Sequence, residues 1–184
     1  MGAGMLAAGG FVVGIVFWVG FVEFVDQTSR LEMCTSCHEM REYVWAEYQE
    51  SAHFGSRSGV RPMCADCHVP KNFFAKIGAK IRASAIEIPS HLIGTIDSPE
   101  KFEAKREELA NRVWARMKAN DSASCRNCHD VDAMSEEDQA LRAVREHQAG
   151  SEAGQTCIEC HRGIAHKLPA SMLEEEAEEV DFDF

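Results

Sequence analysis

The sequence is poor in aromatic residues and in positive charge. Ten Phe, three Trp and two Tyr in 184 residues leave little material for a large apolar core. Lys and Arg number 19 against 30 Asp and Glu, which gives a formal net charge of −11. This balance excludes nucleic-acid binding, because a phosphate backbone needs a basic partner surface. Apolar stretches with strict alternation between turns are also missing, so no sheet is expected.

The first 22 residues contain no charged side chain, and Glu23 is the first. As a helix this stretch would span roughly 33 Å, enough to cross the apolar core of a bilayer. A cleaved signal peptide is the alternative. Its apolar region would be shorter, would follow basic residues and would end in an A-x-A-like site, none of which fits here. We therefore predict a single transmembrane anchor over residues 1–25.

No cysteine lies outside a repeated pattern, because all eight fall in four C-x-x-C-H motifs. In this motif the two thiols form thioethers with a haem, and the adjacent imidazole is placed to ligate the iron. A zinc ion shared by two C-x-x-C pairs is the alternative, but zinc does not require a His after every second Cys. The motifs therefore predict four covalently bound haem c groups. The attaching thiols are Cys34, Cys37, Cys64, Cys67, Cys125, Cys128, Cys157 and Cys160, and the adjacent imidazoles are His38, His68, His129 and His161.

The motif spacing predicts two dihaem halves, at about residues 31–96 and 97–169. The first cysteines lie 30 residues apart in the first half and 32 in the second, with 61 residues between the halves. His53 lies eleven residues before the second motif, and His147 lies ten before the fourth. Since a haem iron that holds one imidazole commonly takes a second side chain, both are candidate distal ligands.

Other side chains compete for the remaining irons. His166 follows the fourth motif by five residues and is a further candidate ligand, whereas His91 lies far from any motif. Met40, two residues after His38, offers a thioether for the first iron, and methionine ligation raises a haem potential. The alternative for Met40 is simple packing against the macrocycle edge. Spacing alone leaves this choice open.

Taken together, the motifs resemble the NapC/NirT family of membrane-anchored tetrahaem c-type cytochromes, and within it the NapC members. The resemblance extends to about Pro169 and rests on an anchor helix followed in order by C-x-x-C-H-x-M, S-A-H, G-V-R-x-x-C-x-D-C-H-V-P, T-I-D, K-A-N-D-S-x-x-C-R-N-C-H and T-C-I-x-C-H-x-G-I-A-H. It implies a quinol dehydrogenase in the inner (cytoplasmic) membrane, with its haem domain in the periplasm. The implied electron acceptor is a periplasmic reductase, for the NapC members the nitrate reductase.

The resemblance also assigns ligands. Met40 matches the axial ligand of the first haem in related quinol dehydrogenases, where His38 can remain unligated. His91 matches no ligand position, so it is expected to be a surface or core residue. The distal-ligand positions of the family are matched by His53, His147 and His166.

Two positions depart from the family pattern. Lys71 stands after V-P, where the NapC members carry a His. If that His ligates a haem, then Lys71 replaces it, the iron is left open, or a partner supplies the ligand. Lys80 matches the Lys of the family's quinol pocket, but the matching acidic position holds Ile86, with Glu87 one residue further on.

Residues 72–88 carry apolar side chains on one stripe and predict an amphipathic helix at the membrane interface. At about 100° per residue, Lys80 and Glu87 fall on the same face of that helix. Quinol oxidation needs a hydrogen-bond donor and a base to receive protons, and this pair supplies both types. The alternative is that Lys76, Lys80 and Arg82 only reach toward lipid phosphates.

The predicted fold is mostly α with irregular loops, organised by four porphyrins on one N-terminal transmembrane helix. Ser98 and Pro99 are typical of a helix start, and an apolar stripe continues that helix to about Lys118. A short helix is expected from Arg41 to Glu50. The haem domain is expected over residues 26–169, followed by an acidic disordered tail over 170–184.

Three functional classes fit these features. The favoured class is an oxidoreductase, a membrane-anchored quinol dehydrogenase with electron exit to a soluble reductase. The second is a passive membrane-tethered electron carrier, which needs four haems but no quinol pocket. The third is a structural or haem-storage protein, in which ordered distal ligands would have no purpose. Lys80 and Glu87 separate the first class from the second.

Overall fold

The computed structural model describes residues 2–173 of the chain, and this part consists of helices and loops without a strand. This confirms the predicted fold class. The α-helices are α1 (Ala3–Gln27), α2 (Leu31–Cys34), α3 (Ala46–Gln49), α4 (Cys64–His68), α5 (Phe73–Leu92), α6 (Pro99–Ala119), α7 (Ala123–Arg126), α8 (Leu141–Glu152) and α9 (Cys157–Cys160). A π-helix covers Met40–Trp45, and a 3₁₀-helix covers Val131–Ala133.

Helix α1 fits a single-pass membrane anchor. The helix has 25 residues and contains an 18-residue stretch with a mean hydropathy of 2.3. Apart from Val25, its side chains are not buried by the rest of the chain. At 1.5 Å per residue the helix is about 37 Å long, which exceeds the apolar thickness of a bilayer. The exposed Phe, Val and Ile side chains of α1 therefore find their apolar environment in lipid.

Helix α5 begins against the end of the anchor. Asn72 caps the helix by accepting a hydrogen bond from the Ala75 amide at 3.2 Å. The Phe73 ring then packs on Trp18 and Phe21 of α1, with centroids 5.7 and 6.5 Å apart. This aromatic contact fixes α5 beside the end of α1 that leads into the first C-x-x-C-H motif.

The same helix is longer than the predicted stretch of 72–88, since it continues to Leu92 through Pro89. A proline in a helix lacks one amide donor and usually disturbs the preceding turn. Here the last turn is completed beyond it, because the Ile93 amide donates to the Pro89 carbonyl at 3.0 Å. The additional turn carries His91.

The helix expected from Arg41 to Glu50 forms in two parts, the π-helix Met40–Trp45 and then α3. The wider π turn begins directly after the first motif, and such turns are frequent at functional sites. Helix α6 begins as predicted, with the Ser98 hydroxyl accepting from the Lys101 amide. It ends at Ala119, one residue beyond the predicted end.

The apolar core of the described residues is small, as the composition predicts. The buried apolar side chains in residues 2–173 are few, namely Val25, Tyr48, Phe102, Ile158 and Pro169. A domain of this size normally owes most of its stability to buried apolar side chains. Much of the apolar mass must therefore come from outside the polypeptide, which is the role predicted for the porphyrins.

A buried ion pair joins three distant segments. The Arg106 guanidinium of α6 donates to both carboxylate oxygens of Glu47 on α3 and also to the Lys167 carbonyl at 3.3 Å. The Lys167 amide in turn donates to Glu47 at 3.1 Å. Side-chain hydrogen bonds to Glu103 and then to Glu47 raise the pKa of Arg106 against the effect of burial. The network fixes the backbone beside His166.

The second motif of each half is capped in the same way. Asp66 accepts the Met63 amide at 2.8 Å, and Glu159 accepts the Thr156 amide at 2.8 Å. In both motifs the carboxylate lies one residue before the second Cys, and it closes the first turn of the short helix. A lysine also binds each of these carboxylates, Lys71 in the first half and Lys118 in the second.

The predicted acidic tail falls mostly outside the described residues. Residues 170–173 are helical, and residues 174–184 lie outside the part that the structure describes.

We expect Glu159→Gln to lower the thermal stability of the haem-loaded protein in a pH-dependent way. The hydrogen bond from Lys118, then those from the Thr156 amide and hydroxyl, lower the pKa of Glu159 to about 2. Its stabilising effect is therefore complete above the ordinary carboxyl pKa of about 4.3 and is lost as the pH falls through about 2. The measurement is the unfolding midpoint from pH 7 to pH 2.

The difference in midpoint between the two proteins should narrow below pH 4 and nearly vanish at pH 2. Glu152→Gln, at an exposed position at the end of α8, is the matched control and should leave the midpoint unchanged. A difference that stays constant over the whole range would contradict this account of Glu159.

Candidate haem sites and quinol pocket

Each C-x-x-C-H motif lies on or at the end of a short helix, namely α2, α4, α7 and α9. A single helical turn brings two thiols three positions apart in the sequence to one side, as attachment to two neighbouring porphyrin vinyl groups requires. All eight cysteines lie in the described residues, and none of them forms a disulfide there. Their side chains are half-buried except for Cys128 and Cys160, which are exposed.

The four motifs lie next to one another in sequence order. Helix α2 contacts α4, and α4 contacts α7. The first cysteines of the two motifs in each half are also close, since Cys64 raises the pKa of the Cys34 thiol, and burial and then Cys157 raise the pKa of the Cys125 thiol. The predicted haem sites therefore form one continuous series, with each site adjacent to the next.

Three pairs of imidazoles face each other at a common distance. Ring centroids are 6.2 Å apart for His53 and His129, 6.3 Å for His68 and His166, and 5.9 Å for His147 and His161. When two imidazoles bind one metal from opposite sides, two metal–nitrogen bonds of about 2 Å and the distance from each nitrogen to its ring centre separate the ring centroids by about 6 Å. Each pair contains one motif imidazole and one imidazole from elsewhere. The residues present therefore fit a haem iron held between two histidines.

Hydrogen bonds orient two of the imidazoles from outside the motifs. His53 Nδ1 donates to the Ile164 carbonyl at 3.3 Å, and His147 Nδ1 donates to the Gln139 side-chain oxygen at 2.8 Å. A histidine that donates through Nδ1 presents Nε2 to a metal in a fixed orientation. Both residues thus have the arrangement expected of iron ligands.

The imidazole pairs cross between the two sequence halves. His53 of the first half faces His129 of the second, and His166 at the far end of the chain faces His68. Burial, and then the nearby His166 imidazole, lower the pKa of His68 to about 4, while burial lowers the pKa of His166. Both rings are therefore neutral near pH 7, which is the form that binds iron.

His91 is the residue that sequence reasoning missed. Its ring centroid lies 6.1 Å from that of His38, and its Nδ1 lies 2.7 Å from a carboxylate oxygen of Glu39. His91 therefore lies in the surroundings of the first motif, which its position in the sequence did not indicate. Helical spacing could have indicated that His91 lies near the first motif, because residues 80, 87 and 91 share one helix face at 3.6 residues per turn.

Glu39 lies between His38 and His91, which form a fourth pair of neighbouring imidazoles. Its side chain is only 3% exposed, and its second carboxylate oxygen lies 3.4 Å from His38 Nδ1. Burial raises the pKa of the Glu39 carboxyl, but hydrogen bonds from its own backbone and from His91 outweigh burial and lower it overall. The other nitrogen of His38, Nε2, lies 3.2 Å from the Asp97 carbonyl.

Met40 is the first residue of the π-helix and is 37% exposed. Its thioether therefore stays a candidate ligand for the first iron, as the family resemblance implies.

The predicted quinol residues lie near the first motif. Lys80 Nζ donates to the Thr28 hydroxyl, directly after α1, at 2.8 Å. The pKa of the Cys34 thiol is raised first by its hydrogen bond to Cys64 and then by burial, and the charges of Lys80 and Glu87 lower and raise it respectively. Both side chains are thus close enough to Cys34 to act on it. Burial lowers the pKa of Lys80, and Glu87 is exposed.

Lys71, which replaces a family histidine, forms an ion pair with Asp66 at 2.6 Å. This contact supports the cap of α4 described above. The imidazole facing His68 belongs instead to His166. The departure at residue 71 therefore leaves an imidazole pair at the second motif.

Comparison with known proteins matches the chain to one family over most of its length. A model of the N-terminal region of the NapC/NirT cytochrome c family matches residues 1–171. The denitrification system component NirT of Stutzerimonas stutzeri is 50% identical over 167 residues, covering 91% of this chain and 83% of the relative. The cytochrome c-type protein NapC of Escherichia coli K12 is 49% identical over 166 residues, covering 90% and 82%.

The cytochrome c-type protein TorC of Escherichia coli K12 is 46% identical over 164 residues, covering 89% of this chain and 42% of the relative. No solved structure matches the chain.

Replacing His53, His147 or His166 with Ala should each leave one iron with a single imidazole. We expect one haem of the set to become high-spin and to bind carbon monoxide when reduced, because its sixth position is vacated. The measurement is the carbon monoxide difference spectrum of the dithionite-reduced protein. A variant that binds no carbon monoxide and keeps a fully low-spin spectrum would exclude that histidine as a ligand.

Proposed function

Because the chain belongs to the NapC/NirT cytochrome c family of electron-transfer cytochromes, we propose that it is a quinol dehydrogenase. It oxidises membrane quinol and delivers the electrons to a periplasmic reductase. Four haem c groups, attached at the four C-x-x-C-H motifs, supply one-electron redox chemistry when bound. The chain itself holds the irons, binds the quinol and receives its protons.

One observation carries this proposal: the end of the membrane helix, Lys80 and the first motif meet at one place. Lys80 Nζ is 2.8 Å from the Thr28 hydroxyl, and its charge acts on the Cys34 thiol. A quinol is dissolved in the bilayer, so its oxidation site must lie at the membrane surface and beside the first electron acceptor. The surroundings of Lys80 meet both requirements.

Lys80 and Glu87 have different tasks in this pocket. Lys80 donates a hydrogen bond to a quinol oxygen, exchanging its present contact with Thr28 for one with the substrate. Burial lowers the pKa of the ammonium group, so less free energy is needed to share or release its proton. Glu87 is exposed, and its carboxylate accepts a quinol proton and passes it to water.

The apolar stripe of α5 places this pocket at the lipid surface. Phe74, Ile81 and Ile88 repeat every seven residues and are 82%, 66% and 54% exposed. Since Phe73 packs against α1, the stripe continues from the membrane helix into the interface. In this arrangement α5 lies along the membrane surface, with the haem domain on the periplasmic side of the inner membrane.

Electrons leave the chain at the end of the series opposite to the membrane. The fourth motif is the last in the series of adjacent motifs, and its Cys160 is exposed. A periplasmic nitrate reductase is the favoured acceptor, because the chain is 49% identical to NapC. Identity of 50% to NirT, a denitrification system component, favours a nitrite or other periplasmic reductase as the second candidate.

A passive membrane-tethered carrier is the alternative function. One observation favours it: Lys76 pairs with Asp26 at 3.6 Å much as Lys80 contacts Thr28, so both lysines join α5 to α1. In that case neither lysine binds substrate, and another complex supplies the electrons.

Lys80→Gln should slow quinol oxidation by about tenfold to hundredfold, which is typical for loss of one polar group that acts in proton transfer. The measurement is the rate at which a menaquinol or ubiquinol analogue reduces the haem of the detergent-purified protein. Dithionite defines the reducible total, which should stay unchanged.

Lys76→Gln, one turn earlier on α5, is the matched control. The dehydrogenase predicts a small effect at Lys76 and a large one at Lys80. If both substitutions change the rate equally, the lysines only fasten α5, and if no quinol reduces the unsubstituted protein, the passive carrier is correct.

The choice of reductase has its own test. In liposomes containing quinol and the chain, added periplasmic nitrate reductase should reduce nitrate at a rate that depends on the chain. Liposomes without the chain are the control. If nitrite reductase accepts electrons faster than nitrate reductase under the same conditions, the second candidate replaces the first.

A further inference from the structure

Residues 162–168, which follow the fourth motif and are named here the His166 turn, take part in two of the imidazole pairs. His166 itself faces the imidazole of the second motif. The Ile164 carbonyl accepts the hydrogen bond from His53 Nδ1 at 3.3 Å, and His53 faces the imidazole of the third motif. One short turn thus serves two of the predicted haem sites.

The backbone of the His166 turn has few attachments. Within residues 2–173, three hydrogen bonds join it to other segments, one from His53 and two at Lys167. The Lys167 amide donates to the Glu47 carboxylate at 3.1 Å, and the Lys167 carbonyl accepts from the Arg106 guanidinium at 3.3 Å. Two of the three attachments therefore come from one ion pair.

The two ends of the His166 turn are held independently of that ion pair. Gly163 has a φ of +73°, and a Cβ there would lie 2.9 Å from the Leu168 side chain, so the ends pack against each other. Pro169, directly after the turn, is buried. The middle of the turn, residues 164–167, is thus the part whose position depends on the ion pair.

Glu47 and His53 approach the turn from one packed segment. Between them lies Tyr48, which is buried and whose ring contacts Trp45 and Phe54 with centroids 5.5 and 5.8 Å apart. The Trp45 and Phe54 rings also contact each other at 5.7 Å. Because the three rings pack together, the two residues that bind the turn keep a fixed relation to each other.

The ion pair does something that an apolar contact could not do. The side chains of Arg106 and Glu47 are only 8% and 9% exposed. A buried ion pair adds little stability over apolar residues of similar size, because both charges lose their water. Apolar side chains, however, could not bind the amide and the carbonyl of Lys167. The distinctive effect of this pair is therefore on the position of the turn.

His166 depends on its backbone more than the other two candidate ligands do. His53 and His147 are oriented by hydrogen bonds from Nδ1. The buried Nδ1 of His166 has no hydrogen-bond partner in the described part of the chain. The direction of the His166 ring is thus set by the peptide groups next to it.

We propose that Glu47 and Arg106 are positioning residues for two haem sites, since they hold the turn that supplies His166 to the second site and an acceptor for His53 to the third. This role rests on the haem sites of the proposed function and is independent of the quinol pocket.

Loss of the pair should change the two sites in different ways. At the second site a displaced His166 leaves the iron with one imidazole, so the reduced haem binds carbon monoxide. At the third site His53 stays on the iron but loses the acceptor of its Nδ1 proton. Since a hydrogen bond from Nδ1 makes a ligating imidazole more basic, its loss favours the reduced iron and raises the potential.

The purified, haem-loaded full chain is compared with the double variant Glu47→Leu/Arg106→Met. This variant should fold, because apolar residues of similar size can replace a buried ion pair without loss of stability. The readouts are the carbon monoxide difference spectrum of the dithionite-reduced protein and the potentiometric titration of the haems. We expect carbon monoxide binding at one haem more than in the unsubstituted protein. A different haem should titrate at a higher potential.

Combined variants identify the haem that binds carbon monoxide. His166→Ala alone should bind it at one additional haem, and the double variant should add nothing further to that amplitude. In His147→Ala a different iron is opened, so there the two amplitudes should add.

Two control variants separate positioning from a general effect of altered charge or packing. Glu47→Gln keeps an oxygen for the Lys167 amide and for Arg106, so it should retain the unsubstituted spectrum. Lys105→Gln/Glu108→Gln removes an exposed ion pair from the same helix α6. It deletes one charge of each sign, as the double variant does, and should change neither readout.

Arg106→Lys keeps the question open to test even if the double variant does not fold. A lysine can still pair with Glu47, but without the guanidinium fork it cannot also bind the Lys167 carbonyl. The potential of the same haem should therefore rise, though by less than in the double variant.

An increase in carbon monoxide binding that His166→Ala does not enlarge, together with the raised potential, would support the proposal. It would be overturned if Arg106→Lys and the folded double variant matched the unsubstituted protein, or if the amplitudes of the double variant and His166→Ala added. If His166→Ala bound no additional carbon monoxide, the ligand and its positioning residues would fall together. Quinol enters neither readout, so a missing quinol site would leave these results unchanged.

Discussion

Pairing of imidazoles across gaps of about 6 Å is the interaction on which the rest of this structure depends. The described residues bury few apolar side chains, and five of the nine α-helices in that part are one turn long or little more. Single turns are not stable on their own, because forming a helix nucleus costs more than one turn recovers. The imidazole pairs tie these turns to distant parts of the chain, and the family's haem groups supply the apolar mass between them.

A second constraint is the junction of α1 and α5. There an aromatic contact through Phe73, an ion pair from Lys76 and a hydrogen bond from Lys80 all connect the two helices within two turns of α5. The contacts run from apolar to polar along the helix, as expected where a bilayer meets water. The pocket proposed for quinol is thus built from the same residues that join the haem domain to its anchor.

Sequence patterns predicted the parts of this structure that are local. The anchor, α5 and α6 follow from apolar periodicity and from caps at Asn72 and Ser98, which act within one turn. The hydrogen bonds of Glu39 and His38 could not be predicted in this way, since their partners, residues 91 and 97, lie more than fifty positions later. The extension through Pro89 was missed for a related reason, because tertiary contacts of the last turn override the usual effect of proline.

The same limit applies to the ligand pairs. Spacing predicted that His53 and His147 approach haem sites, but sequence distance could not assign His53 to a motif 76 positions away. Crossing of the halves has a consequence for how the protein is made. The second motif leaves the ribosome early, yet the imidazole that faces it, His166, is nearly a hundred residues further on. The cysteines of the second site are therefore made early, but its second imidazole is made late, so the first half cannot be completed before the chain has been synthesised almost to residue 166.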